Sequence, residues 1–314
     1  MSRVAAVDCG TNTIRLLVAD IDAAGGSQDS LVREMRIVRL GQGVDRTGML
    51  ADEALARVFA AVDEYAALIE QHDVEALRFV ATSAARDAGN AEVFAEGVRA
   101  RLGVPPEVVS GAEEAQLSYD GATRSLPPAV PSPVAVLDIG GGSTELILGD
   151  PSTKPRGRGH VRAARSLDIG SVRVTERLMP SDPPTAEQVA AATGMIDEAL
   201  DTLPSYGVHP GDAATLVGVA GTVTTLATLL LGLRGYQRDR VHHATFAPPD
   251  VHGMVARLLA MTAAEREAIG VPHGRSDVIG AGALILDRVL RRTGTDRLTV
   301  SDADILDAIA WSVA

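Results

Sequence analysis

Val134-Ala135-Val136-Leu137-Asp138-Ile139-Gly140-Gly141-Gly142-Ser143-Thr144-Glu145-Leu146-Ile147-Leu148 is an apolar run ending in an aspartate, a glycine turn, and a second apolar run. That pattern predicts a β-hairpin whose turn exposes successive backbone N–H groups. Val4-Ala5-Ala6-Val7-Asp8-Cys9-Gly10-Thr11-Asn12-Thr13-Ile14-Arg15-Leu16-Leu17-Val18 lies over it position for position, without a gap. One such turn alone reads as an ordinary hairpin; the in-register repetition points to a duplicated ligand loop. A carboxylate at a strand end beside free N–H groups can hold a hydrated cation while the N–H groups cradle phosphate oxygens. Two such turns facing each other across a cleft would grip a metal phosphate. Gly10, Thr11, Asn12 and Thr13 form one cradle, and Gly140, Gly141, Gly142 and Ser143 the other. Asp138 and Glu145, on the two arms of one hairpin, are placed for Mg²⁺, directly or through water. In the first copy the residue equivalent to Glu145 is Arg15, so the copies share a frame and differ in chemistry.

Working outward, each copy opens an α/β half. After the first hairpin come a predicted strand over 31–40, a helix over 51–71, a strand over 77–81, a helix over 91–102, a strand at 107–109 and a helix from 112. Four prolines within Pro127–Pro133 cannot lie in a helix interior or a central strand. They set the predicted domains at 1–127 and 128–314. The second half repeats the plan with a strand over 161–167, a helix after Asp182-Pro183-Pro184, a strand over 214–219 and a helix over 223–231. Helices over 250–259, 278–290 and 303–313 follow, the last capped by Ser301 or Asp302 and expected to pack back on the first domain.

The 314 residues, 46% of them hydrophobic, are enough for two domains with their own cores. No window approaches the ~18 apolar residues of a membrane span, and Met1-Ser2-Arg3 leads straight into a strand without a signal-peptide core. One cysteine, Cys9, permits no internal disulfide, in keeping with a reducing, cytoplasmic setting. With no His or Asn nearby in sequence to activate it, Cys9 reads as a small buried strand-end residue rather than a nucleophile. A net charge of -12 argues against nonspecific nucleic-acid binding. A polyanionic substrate would have to be met by local arginines or bound cations.

Further candidates lie at strand-to-helix turns. Thr82-Ser83 precedes Arg86, where an anion can meet helix N–H groups, a hydroxyl and a guanidinium together. Gly221-Thr222 forms another glycine turn at a helix start, suggestive of phosphate, although taken alone close strand–helix packing is its readier explanation. Glu113-Glu114 opens a helix; acidic residues there favour the helix dipole, yet hydrolysis also needs a carboxylate that orients and deprotonates water. The histidines have no zinc-like spacing. The run Arg156, Arg158, His160, Arg162, Arg165 reads either as a guide for a phosphate chain or as a solvated hairpin loop.

In order, Asp8-x-Gly-Thr-Asn-Thr, Ala81–Asn90, Ser110-Gly111-Ala112-Glu113-Glu114-Ala115, Asp138–Glu145 and Ala220-Gly221-Thr222-Val223-Thr224 resemble the exopolyphosphatase and guanosine pentaphosphate phosphohydrolase family across essentially the whole chain. The resemblance implies two related actin-like, ribonuclease H-like α/β domains with an interdomain cleft. It further implies Mg²⁺-dependent removal of the terminal phosphate of inorganic polyphosphate, with Mn²⁺ as the alternative ion. Guanosine pentaphosphate hydrolysis is the alternative within the same chemistry, and a noncatalytic sensor of guanosine tetraphosphate or polyphosphate is the alternative outside it. By motif, Glu114 would be the base for the attacking water with Glu113 beside it. Asp138 and Glu145 would hold the cation together with Asp8. Ser83 and Arg86 would clamp the chain, and Arg15 and Arg275 would meet phosphates. The resemblance also implies a homodimer. The chain departs from longer members, which carry further helical domains.

Overall fold

The computed structural model describes every residue except Asp87, Pro128, Ala129, Pro155 and Arg156, and the side chains of Asp45, Arg46 and Ser83 are outside it as well. The centre of the proline-rich boundary, and Arg156 of the basic run, thus lie outside the described residues. Two compact units emerge, one of Met1–Gly121, Thr153–Arg158 and Ile305–Ala314, the other of Ala122–Ser152 and Gly159–Asp304. The division falls between Gly121 and Ala122, within the final turn of a helix.

In the first unit β1 (Ser2–Cys9), β2 (Thr13–Asp22) and β3 (Ser27–Ile37) form an antiparallel meander. It is followed by α1 (Val44–Thr47), α2 (Asp52–Gln71), β4 (Ala76–Ala81), α3 (Ser83–Arg86), α4 (Ala91–Leu102), β5 (Glu107–Val108) and α5 (Gly111–Thr123). The sheet order is β3-β2-β1-β4-β5, with β4 and β5 parallel to β1. Both faces are covered, so β1 reads as a nearly continuous apolar run. Val58, Val62 and Tyr65 of α2 and Phe94 and Val98 of α4 pack on the face that carries Val7, Cys9, Ile14 and Leu16. Buried Tyr65 adds a bond from its hydroxyl to Ile14 O at 3.0 Å. The other face, with Val4, Ala6, Leu17 and Ala19, is closed by Ile305, Leu306 and Ile309 from the chain's end.

The second unit contains β6 (Val134–Ile139), β7 (Thr144–Asp150), β8 (His160–Leu167), α6 (Ser171–Leu178), α7 (Ala186–Asp201), β9 (Thr215–Val219), α8 (Ala220–Leu230) and α9 (Arg238–Val241). Then come β10 (Thr245–Phe246), α10 (Pro248–Leu259), α11 (Ala263–Ala268), α12 (Ile279–Thr293) and β11 (Leu298–Val300); α13 (Ile305–Trp311) returns to the first unit. The sheet order is β10-β11-β9-β6-β7-β8. Without β10, strands β8-β7-β6-β9-β11 repeat the order and directions of the first sheet. Asp8 pairs across the strands with Arg15, and Asp138 with Glu145, at the same position in each hairpin.

Helices α1, α3, α6, α9 and α11 and strands β10 and β11 lie outside the sequence expectations, β3 runs over Ser27–Ile37 rather than 31–40, and α13 begins at Ile305 rather than 303. The unforeseen helices and strands are short, and packing stabilises such elements more than their own periodicity does.

Candidate functional site

The first glycine turn is held from behind. Asn12 O accepts from Val38 N at 3.0 Å and Arg39 N at 2.9 Å, and Thr11 O from Gly41 N at 2.8 Å. With the carbonyls turned toward that segment, the Asn12 N–H has no protein acceptor among the described residues. The second turn is built the same way from different material. Gly140 O accepts from Ser171 N at 2.9 Å, and Gly141 O accepts from Val172 N at 2.9 Å and Arg173 N at 3.1 Å. The opening amides of α6 are thereby satisfied, and the N–H groups of Gly141, Gly142 and Ser143 have no protein acceptor among the described residues. Such a row of amides is of the kind that can meet an anion. Thr144 fixes the turn's far side by donating from its buried Oγ1 to Ile169 O at 2.5 Å.

The carboxylates beside the two turns have different company. Asp8 is buried, and its Oδ2 accepts from Arg15 Nη2 at 2.5 Å and Nε at 3.0 Å. It therefore anchors Arg15 at the edge of the first turn. Asp138 instead stands directly opposite Glu145, and Glu145 Oε1 accepts from Ser166 Oγ of β8 at 2.6 Å. Like charges directly opposed on neighbouring strands repel, and two carboxylates beside free amides suit a cation that shares phosphate oxygens. Among the described residues no group of three or more His, Cys, Asp or Glu forms a metal cage. Two carboxylates are the donor set that Mg²⁺ takes when it keeps several waters.

Helix α5 presents the paired glutamates. Ser110 begins it, accepting from Glu113 N at its Oγ (3.2 Å) and from Glu114 N at its carbonyl (2.9 Å). Glu113 and Glu114 then diverge. Glu113 Oε2 accepts from Arg158 Nη2 at 2.9 Å, and Arg158 Nε also lies 3.4 Å from Asp120. Glu114 Oε2 faces Arg86 Nη1 at 3.4 Å, and the same nitrogen donates to Val109 O at 2.8 Å. Arg86 ends the four-residue α3, so one guanidinium, fixed by a backbone carbonyl, lies beside one of the two carboxylates. Of the basic run, Arg158 binds acidic side chains of α5, Arg162 pairs with Asp150 at 2.6 Å, and Arg165 lies over the Tyr206 ring at 3.7 Å. None of these three projects as a bare guide for a phosphate chain. The side chain of Ser83 lies outside the described residues.

At the third turn Ala220 adopts a left-handed backbone, φ 64°, rare for a residue with a Cβ and a mark of local strain. Gly221 follows because Arg275 lies on it: a Cβ there would fall 2.4 Å from the guanidinium carbon. Burial lowers the pKa of Arg275 below the ordinary arginine range. Thr222 does not present its hydroxyl. Its side chain is buried against Gly282 of α12, where an added Cβ would come within 2.7 Å of Oγ1, leaving only its amide for a ligand. Cys9 is buried and burial raises its pKa, which suits a packed thiol and no nucleophile.

Sequence reasoning missed Gly170 and Thr144, which back the second turn, Ser166, which bonds Glu145, and Arg266, which bonds the carbonyls of Leu258 and Ser276. Their partners are distant in the chain, and no local pattern marks them.

The sequence matches the Ppx/GppA phosphatase family over residues 17–305, and the chain belongs to that family. It is 46% identical to exopolyphosphatase 2 of Mycobacterium tuberculosis H37Rv, over 100% of this chain and 99% of that protein. The crystal structure of the Aquifex aeolicus Ppx/GppA family member superposes with a TM-score of 0.83 at 32% identity, covering 99% of this chain and 97% of that one. A guanosine-5'-triphosphate,3'-diphosphate pyrophosphatase of Vibrio vulnificus is 29% identical over 98% of this chain and 59% of its own length. The fold is thus two related actin-like α/β domains, and the chain has the make-up of a phosphoanhydride hydrolase.

Proposed function

We propose that this protein is an exopolyphosphatase that hydrolyses the terminal phosphoanhydride bond of inorganic polyphosphate. The observation that carries the reading is the pairing of Arg86 with Glu114 at 3.4 Å, on a chain 46% identical to a protein named exopolyphosphatase 2. A phosphate oxygen that reaches Arg86 comes next to a carboxylate able to take a proton. Water oxygen bonds to the terminal phosphorus as the bridging P–O bond breaks. The shortened chain leaves with that electron pair, and Glu114 accepts the proton lost by the water. Little covalent work is required of the protein, so positioning and charge neutralisation supply most of the acceleration. In the second unit the amides of Gly141, Gly142 and Ser143 offer donors for phosphate oxygens, and in the first unit the Asn12 amide and Arg15 do so. Asp8 positions Arg15, and Glu113, tied to Arg158, steadies the first turn of α5. Asp138 and Glu145 would hold Mg²⁺, or Mn²⁺ as the alternative, which when bound neutralises phosphate charge.

The similarity to the Vibrio pyrophosphatase supports guanosine pentaphosphate as a second substrate of the same chemistry. Among the described residues no helix is long and apolar enough to cross a membrane. The cytoplasmic location and the homodimer implied by the resemblance belong to this same proposal.

Phosphate release from short polyphosphate, long polyphosphate and guanosine pentaphosphate, with and without Mg²⁺, tests the reading. The wild type should release phosphate from polyphosphate only with the ion. The Glu114→Gln enzyme should keep its KM and lose ~10²- to 10⁴-fold in kcat. Full activity in that variant would overturn the assignment of the base.

A further inference from the structure

Arg266, on α11, is only 2% exposed. A guanidinium so far from water needs partners, and its partners are carbonyls: Nε donates to Leu258 O in the last turn of α10 at 2.9 Å, and Nη1 to Ser276 O at 2.8 Å. Gly280, at the start of α12, leaves the room, since a Cβ there would lie 3.3 Å from Nη2. The neighbouring Glu267 works from the solvent side. Its Oε1 accepts from Ser276 Oγ at 2.7 Å and bonds His273 Nδ1 at 2.8 Å. Helix α11 is six residues long and is itself fixed by a capping box between Thr262 and Glu265. Two consecutive residues of one short helix therefore bracket the turn His273–Ser276.

Arg275 lies inside that bracket. Its own contacts are long, with Nη1 3.4 Å from Gly221 O and 3.3 Å from Thr225 Oγ1. Contacts of that length do not by themselves fix so flexible a side chain over Gly221. Replacing Arg266 takes the donor from the Leu258 and Ser276 carbonyls, a cost to stability of its own, so the test must separate placement of Arg275 from stability.

We propose that Arg266 and Glu267 are positioning residues for Arg275, holding the His273–Ser276 turn so that the Arg275 guanidinium lies against the Gly221 turn and meets a substrate phosphate. The proposal rests on the reading of Arg275 as a phosphate contact. It touches no reacting atom and acts on where the anion is held, so its loss should raise KM with kcat nearly unchanged.

The test compares Arg266→Met, Glu267→Ala, Arg275→Gln and the two double variants with Arg275→Gln, in Mg²⁺-dependent phosphate release from polyphosphate, with a thermal melt of each. Expected is a rise in KM of about tenfold for Arg266→Met and about threefold for Glu267→Ala, kcat staying within about twofold. In the Arg275→Gln background neither substitution should add anything, because residues acting through one group are not additive. Effects that multiply, or an unchanged KM in a folded Arg266→Met or in Glu267→Ala, would overturn the proposal while leaving Arg275 as a phosphate contact. An unchanged KM in Arg275→Gln would overturn both. Should Arg266→Met fail to fold, the half-buried Glu267 decides the matter alone.

Discussion

One position, occupied twice, shows how a single side chain redirects a shared frame. Asp8 and Asp138 end equivalent strands, and the residue opposite is arginine in one hairpin and glutamate in the other. Asp8 is buried, and its Oδ2 is charge-paired with Arg15 at 2.5 Å. Asp138 and Glu145 face each other across the second hairpin, and the proposed function places the cation on that pair. Saturating Mg²⁺, at about a hundredfold over its Kd, should therefore stabilise the wild type by ~2.7 kcal/mol and raise its Tm by about 5–10 °C. Glu145→Gln, which keeps an acceptor for Ser166, should lose most of that shift. Asp8→Asn should retain the shift while starting from a protein ~2 kcal/mol less stable, the usual worth of hydrogen bonds to a charged group. A thermal melt with and without the ion checks all three. An Asp8→Asn protein blind to Mg²⁺ would return Asp8 to the cation's ligands, the role that the sequence resemblance implies for it.

At the scale of elements, α6 acts as the backing of the second glycine turn, and Gly170 sets how closely it approaches. A Cβ on Gly170 would fall 2.4 Å from Gly141 O and 2.6 Å from Gly142 C, both of them backbone atoms that cannot move without the turn. Gly170→Ala should therefore displace the cradle, with kcat/KM falling at least tenfold and stability falling by ~1–3 kcal/mol, the range for overpacking; steady-state kinetics and a melt on the same sample measure both. The backbone φ of Gly170 is -142°, open to any residue, so crowding and not conformational strain is the cause. The same contrast explains what was legible in the sequence. Both hairpins, α2, α4 and the long α12 declare themselves through alternation or helical spacing of apolar residues over many positions. The turns Gly10–Thr13 and Gly140–Ser143 were visible because they are repeated. By contrast, α6 has eight residues with charged Arg173, Glu176 and Arg177 among them, and its placement depends on two carbonyls about thirty residues away. The bond from Arg158 to Glu113 is likewise illegible, since a basic loop carries no mark of the helix it will meet. The inward turn of Thr222 depends on Gly282, sixty positions on.

Over the whole molecule the chain ends in the unit where it began. Ile305, Leu306 and Ile309 of α13 are buried on the face of the first sheet that carries Val4, Ala6, Leu17 and Ala19. Polar contacts fix the helix in register: Asp307 Oδ1 accepts from Arg33 Nη2 at 2.6 Å and Gln28 Nε2 at 2.8 Å, and Trp311 Nε1 donates to Gln28 Oε1 at 2.8 Å. Three large apolar side chains at ~1.5–3 kcal/mol each amount to about 5–9 kcal/mol as an upper estimate, which is comparable to the entire stability of an ordinary domain. The second unit draws its core from α6, α7, α8, α10 and α12 and contains no residue of α13. Removing Ile305–Ala314 should consequently unfold the first unit while sparing the second. Hydrogen exchange on the truncated protein should show amides of β1, β2 and β4 losing protection to nearly the unfolded rate, with those of β6 and β9 retaining theirs. Phosphate release should vanish with the first unit, because Arg86 and Glu114 both stand on it. Equal loss of protection in both sheets would show instead that the two units fold as one cooperative body, and that the last helix stabilises the whole chain.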